Sequence, residues 1–300
     1  MKPPTSVFTA MGSTCDVTVV GGPPGLGELA RRRVLELEER WSRFIASSEL
    51  SKINDSPEVV HRVSPDTYLL IDHGVAAWRW TSGRFDPTVL NLLIRAGYDR
   101  SFALGLRAVR ASAGGQAPGC DGIVLDPIAQ TVMVPHGVGI DPGGYGKGLA
   151  ADLAVEALLD AGATGACVNM GGDLRATGEP PNGGWRVGIA NPLMSDDLIT
   201  TVMVQDHGVA TSNRLIRRWG TVNDERNHLL DPASGRSVSG LISASVISGQ
   251  AWWSEVLAKV AMVDARALRT FIPLMGAEGL YVKEGGEVEV STGFPAFAVA

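Results

Sequence analysis

Cysteine is scarce in this chain: three in 300 residues. Cys15, Cys120 and Cys167 are odd in number and far apart, which excludes a disulfide framework and a zinc site of ordinary ligand spacing. Basic charge is also short, with 26 Lys and Arg against 32 Asp and Glu and a net charge of -6. That balance argues against a nucleic-acid surface, so local cations must do any phosphate work. No run approaches the length of a membrane-spanning helix, and the opening Met1–Ala10 has no apolar core of signal length. The sequence therefore predicts no membrane span and a cytoplasmic location. No internal repeat is visible. What is present, 45% hydrophobic and 19% charged residues, is enough for one large core or two small ones.

The informative stretch is Gly139-Ile-Asp-Pro-Gly-Gly-Tyr-Gly-Lys-Gly148, followed at a distance by Cys167-Val-Asn-Met-Gly-Gly-Asp173. Glycines let backbone amides approach a ligand, and Lys147 brings a cation to the same place. Apolar residues from Leu149 to Leu159 recur at helical spacing, which sets the loop at a helix start, where the dipole favours an anion. A P-loop is excluded: Asp141 stands where its first glycine belongs, and Gly148 follows the lysine in place of Ser or Thr. No glycine triplet of dinucleotide-fold spacing opens a helix after an apolar strand either. A glycine-rich turn with a surface lysine is the ordinary alternative.

Elsewhere, Val7–Val20 alternates as one strand with Met11-Gly12-Ser13 in its middle, and residues 26–45 form an amphipathic helix. Ser64 caps a helix running to Trp80, with Pro65 in its first turn. Residues 112–122 are expected to be a mobile loop, and short strands follow at 123–125 and 131–134. Further strands are expected at 185–190, 198–204, 208–212 and 241–247. A helix is expected at 250–262, then another after Asp264, then a hairpin near 279–290. Many strands joined by turns, with few helices between them, predict an α+β fold of mainly antiparallel sheets flanked by helices.

Five motifs stand in order: Phe85-Asp86-Pro87-Thr88-Val89, Asp141–Gly148, Asn169–Asp173, Ala210-Thr211-Ser212 and His228-Leu-Leu-Asp-Pro232. Together they resemble the FAD:protein FMN transferases, the ApbE family. The resemblance implies a single ApbE-like domain over 1–300, with room for two intertwined subdomains holding FAD between them. It implies FAD as substrate, with FMN moved to a Thr or Ser hydroxyl of a flavoprotein bearing an Asp-x-x-Ser/Thr-Gly-Ala-Ser/Thr-like motif, and AMP released. A non-transferring FAD-binding protein and an FAD pyrophosphatase are the alternatives.

Residue by residue, the resemblance implies flavin contacts at Met11, Phe44, Arg84, Phe85, Asp86, Asp141, Gly144, Lys147, Thr211 and His228. Met11 and Phe44 could equally be core residues. His228 is the expected catalytic base, since an imidazole ordinarily titrates near neutrality. Lys147 is expected to face the diphosphate. Gly162-Ala-Thr164 resembles the tail of the acceptor motif, but Ala161 and Leu158 stand at its acceptor and acid positions, so Gly162 reads as a helix C-cap.

The chain departs from the family at Ala251-Trp-Trp-Ser-Glu-Val-Leu-Ala-Lys259. Glu255 stands at the usual aspartate and Lys259 at the usual threonine, the pair that the resemblance implies as magnesium ligands together with backbone carbonyls such as that of Gly144. A lysine cannot ligate a cation. Two expectations follow: an exposed i,i+4 ion pair, or a Lys259 ammonium that takes the metal's place in catalysis.

Overall fold

The strand expected over Val7–Val20 is two strands, Thr5–Ala10 and Ser13–Val20, joined at Met11-Gly12. Both turn residues have positive φ, 50° and 66°, the geometry of a tight hairpin turn whose twist matches its strands. Ala10 pairs with Ser13 across it. Asparagine or glycine usually announces the first residue of such a turn, and methionine gives no such signal. The computed structural model describes residues 5–101, 114–194, 196–221 and 224–299.

The chain divides into two units. The first comprises residues 1–35, 147–215 and 239–300, the second 36–146 and 216–238. One division falls inside the helix Leu26–Trp41 and another at the start of the helix Gly146–Asp160.

The first unit is built on an eight-stranded antiparallel sheet. Its spatial order is Thr5–Ala10, Ser13–Val20, Gly165–Met170, Leu174–Gly178, His207–Asn213, Leu241–Ser248, Glu278–Lys283 and Val288–Val290. The small sheet of Trp185–Ala190, Leu198–Val204 and Ala298–Val299 packs on it through Trp185, Ile189, Val202 and Val204, against Leu174, Val209, Ile242 and Leu280. The helix Ala251–Val263 packs on His207–Asn213 and Leu241–Ser248. Leu241–Ser248 is buried at every residue, Ser243, Ser245 and Ser248 included.

The helix Gly146–Asp160 ends as the sequence predicts. Gly162 has φ 97°, its N–H donates to the Leu159 carbonyl, and the Ala163 N–H donates to that of Leu158, which is a Schellman motif. Inside this helix Asp152 reaches across to the helix Ala251–Val263, whose N-cap Gln250 spends its side-chain oxygen on the Trp252 indole and caps no backbone amide. The Ala251 and Trp252 amides donate to the two Asp152 oxygens at 3.0 and 2.9 Å. Burial pushes the Asp152 carboxyl up to about 6, against the pull of those two amides and Arg175.

That shift carries a sign. A carboxyl that holds its proton more tightly folded than unfolded makes the fold lose stability as pH rises through the window from the unfolded value to about 6, and the loss is complete above it. Urea denaturation should therefore show wild type losing about 2 kcal/mol relative to Asp152→Asn between roughly pH 4.5 and 7. A constant difference across that range would refute the assignment.

The second unit holds the helices Glu49–Asp55, Pro65–Trp80 and Leu90–Arg95, a three-stranded sheet of His61–Arg62, Thr131–Met133 and Val124–Asp126, and the hairpin Arg218–Thr221 with Asp224–Asn227. Ser64 caps its helix as expected, accepting from the Thr67 amide at 3.3 Å. Leu50, Ile53, Ile71, Val75, Val132, Val134 and Ile140 form its main core. Of the loop expected to be mobile over 112–122, residues 112 and 113 lie outside the described residues. The remainder is tied down. Gly115 and Ala117 donate to the Ser234 and Pro232 carbonyls, Gly119 donates to the Thr88 hydroxyl, and Ala117 and Cys120 are buried.

Candidate functional site

In the second unit, Asn54 clamps the entry to the glycine loop. Its amide donates to the Ile140 carbonyl at 2.9 Å and its oxygen accepts the Ile140 N–H at 2.8 Å. The next residue, Asp141, donates its amide to the Pro87 carbonyl at 2.8 Å and accepts the Gly143 N–H on its own side chain at 2.8 Å. Its other carboxylate oxygen is 2.6 Å from Arg43 Nε, and both groups are buried. Gly144 follows in a half-buried turn.

Arg43 is a residue that sequence reasoning missed. Two of its nitrogens donate to the Tyr98 carbonyl, each at 3.0 Å, and its guanidinium lies 4.3 Å over the Phe44 ring and 4.6 Å from that of Tyr98. Phe44 is 43% exposed, so it is not core filler. A cation stacked on one face makes its ring part of an aromatic platform that continues to Tyr98 and Trp219. The signal available was Trp41-Ser-Arg-Phe44 just past a helix end, but the partners of Arg43 are distant in sequence.

The Asp86-Pro87-Thr88 turn is inward. Asp86 Oδ1 accepts the Thr88 amide at 2.8 Å and its hydroxyl at 2.6 Å, and burial raises the Asp86 carboxyl above its ordinary value. Phe85 is buried edge-on to Tyr145, while Arg84 is half-buried and donates to the Thr81 carbonyl. Phe85 and Asp86 therefore build the frame around the loop.

His228 is half-buried just after the hairpin that ends at Asn227. Its backbone N–H donates to the Arg217 carbonyl, and its Nδ1 is 3.3 Å from the same oxygen. A carbonyl can only accept, so in the neutral ring Nδ1 carries the proton and the lone pair falls on Nε2. Asn227 fixes the backbone beside it, donating to the Val238 carbonyl at 3.1 Å and accepting the Leu229 amide at 3.0 Å.

In the first unit, Lys147 lies in the opening turn of its helix and pairs with Asp173 and, at 3.2 Å, with Glu255. Lys259 is 3.0 Å from the same Glu255 oxygen, Oε1. Oε2 accepts the Gly148 amide at 2.8 Å. Glu255 is fully buried, which overturns the exposed-pair expectation. Burial pushes its carboxyl up, but Lys147, Lys259 and the Gly148 amide together outweigh it and hold the group below its ordinary value. The positive end of the glycine-loop helix is thus met by the chain's own carboxylate.

Gly148 is required at that contact: a Cβ there would lie 2.5 Å from the Ala251 carbonyl oxygen and 2.6 Å from the Trp252 nitrogen. The motif residue Asp173 turns its Oδ1 to the Thr211 amide at 3.3 Å, and the Thr211 hydroxyl bonds that of Ser245 at 2.8 Å. Met11 is half-buried at its hairpin tip.

Among the described residues no group of three His, Cys, Asp or Glu could hold a metal ion. More directly, Glu255 has both oxygens engaged, and the neighbouring Lys259 ammonium offers hydrogens where a magnesium ion needs lone pairs. The residues present do not fit that ion.

Antiparallel sheet covered by helices, a glycine loop opening into a helix, and a lysine–carboxylate cluster at that helix start make this an α+β protein. The chain belongs to the ApbE family, whose model matches residues 11–274. The ApbE protein of Thermotoga maritima superposes with a TM-score of 0.88 at 28% identity, covering 99% of this chain and 100% of that one. The apo flavinyl transferase ApbE of Pseudomonas stutzeri does so at 0.83 and 22% identity, over 100% and 98% of the two chains. An FAD:protein FMN transferase of Rhodobacter capsulatus is 27% identical over 233 residues, 76% of this chain but 44% of its own length. One from Vibrio cholerae is 22% identical over 298 residues, 93% of this chain and 84% of its own. No helix among the described residues is long and apolar enough to cross a membrane.

Proposed function

We propose that this chain is an FAD:protein FMN transferase, moving FMN from FAD to a Thr or Ser hydroxyl of a target flavoprotein with release of AMP. The supporting observation is the ApbE-family match over 11–274, joined to relatives that carry that activity in their names. In the reaction the acceptor oxygen attacks the FMN-side phosphorus, a new P–O ester bond forms, and the anhydride P–O bond breaks with its electron pair leaving on AMP. The hydroxyl proton passes to His228, whose Nδ1 contact with the Arg217 carbonyl orients Nε2 as the accepting atom.

Phosphoryl transfer needs charge neutralised on the phosphates, and Lys147 and Lys259 are the cations assigned to it. Asp141, held by Arg43, and the Phe44 platform are assigned to flavin contacts, with Met11, Arg84, Thr211 and the backbone of Gly144. Phe85 and Asp86 contribute by shaping the loop. The acceptor is assigned an Asp-x-x-Ser/Thr-Gly-Ala-Ser/Thr-like motif.

A specific observation keeps a second reading in view: the lysine-filled Glu255 site would also suit a protein that holds FAD without transferring it. Incubation with FAD and an acceptor peptide, followed by mass spectrometry, separates the outcomes. A peptide heavier by FMN with equimolar AMP is expected. AMP without label would mean a pyrophosphatase, and intact retained FAD a binding protein.

A further inference from the structure

The cluster around Glu255 is closed in charge and in hydrogen bonds. Two carboxylates, Asp173 and Glu255, are buried, and two ammonium groups, Lys147 and Lys259, are paired with them. Every Glu255 oxygen already accepts from this chain: Oε1 from both lysines, Oε2 from the Gly148 amide. Buried carboxylates demand cations, and a chain either supplies them as side chains or recruits them from solution. Here they are side chains. The Lys259 side chain is 16% exposed and that of Lys147 18%, so both cations combine a buried partner with a face open to an incoming anion.

We infer that Lys259 is the cation of this site in place of a divalent ion, and that it and Lys147 together neutralise the diphosphate of the dinucleotide. The inference rests on the flavin-transferase reading and deepens it. Glu255 then serves as a positioning residue: one carboxylate oxygen fixes both ammonium groups, and the other ties them to the glycine-loop helix through Gly148. Lys259 lies one helical turn from Glu255 on the same helix, so the spacing of the pair is set by the backbone. A second ammonium also explains why the helix start can carry a buried carboxylate and still face a polyanion. The two lysines offset the two acids before any ligand arrives, and the carboxylates that Lys147 and Lys259 contact fix where each ammonium stands.

Two titrations test this on the intact chain. The first adds Mn²⁺ to the ligand-free protein and follows the free-ion signal by electron paramagnetic resonance. The second measures FAD affinity by flavin fluorescence in excess chelator and again in millimolar Mg²⁺. Wild type is expected to leave Mn²⁺ free and to bind FAD within about twofold under the two conditions. Lys259→Thr, which removes the ammonium and supplies an oxygen, is expected to take up one Mn²⁺ per chain and to bind FAD at least tenfold more weakly in chelator than in Mg²⁺.

Stoichiometric Mn²⁺ uptake by wild type that Glu255→Gln abolishes would overturn the inference, as would a tenfold loss of wild-type FAD affinity in chelator. If Lys259→Thr does not fold, the wild-type arms decide alone. Absence of FAD binding by wild type in both conditions would instead remove the flavin reading, and with it the diphosphate role, while the Mn²⁺ titration still reports whether the cluster holds a metal.

Discussion

Replacing His228 with alanine is expected to slow flavin transfer to an acceptor peptide by about 10²–10⁴-fold at saturating FAD, the range for loss of a positioned proton acceptor. The loop argues for a fixed ring. Two contacts reach the Arg217 carbonyl, from the His228 backbone N–H and from Nδ1, while Asn227 and the Asp231 turn hold the chain on either side. The bonds of Asn227 and Asp231 do not involve the imidazole, so the variant should keep its fold. Single-turnover transfer is the deciding measurement, because it separates the chemical step from product release. A variant with an unchanged single-turnover rate would return His228 to a purely structural part.

Lys147→Met is expected to act twice. Removing the ammonium leaves Asp173 buried without its cation and strips one of two cations from Glu255. Breaking a buried pair from one side costs about 3–5 kcal/mol, and Lys259 remains on Glu255, so the lower end, about 3 kcal/mol, is expected in urea denaturation. FAD binding should weaken by a further ~1–3 kcal/mol, the scale of a charge-assisted contact. The double variant Lys147→Met/Asp173→Asn should recover at least half of the stability loss, because it removes the orphaned charge. Recovery of stability without recovery of FAD affinity would identify the second effect as a ligand contact. A single variant as stable as wild type would show that the Asp173 pair is not formed in solution.

Local chemistry made part of this fold legible. Ser64 before Pro65 announced a helix, Gly162 announced its end, and the alternation near 279–290 announced a hairpin, because each signal and its structural answer lie within a few residues. The Met11-Gly12 turn was not legible, since methionine seldom takes positive φ and the flanking alternation ran on as one strand. The bond from Asp152 to the Ala251 amide spans 99 residues, and no pattern near either residue encodes it. The same holds at the site. Glu255 and Lys259 could be read as a pair from their spacing, but the second cation on the buried Glu255 is Lys147, which is 108 residues away. Motif order pointed to Asp141, while the guanidinium that holds it arrives from a separate helix end.

The order of segments in the first unit bears on how a ribosome releases it. Its pieces come at 1–35, 147–215 and 239–300, and the strand Leu241–Ser248, which sits between His207–Asn213 and Glu278–Lys283, is among the last to be made. Until it emerges, His207–Asn213 has a row of unpaired peptide groups along one side, and the apolar wall of Trp185, Val202 and Val204 lacks the part of its cover that Ile242 supplies. Such an edge recruits strands from other chains. The nascent polypeptide is therefore most exposed to aggregation late in translation, after the whole second unit has already been made.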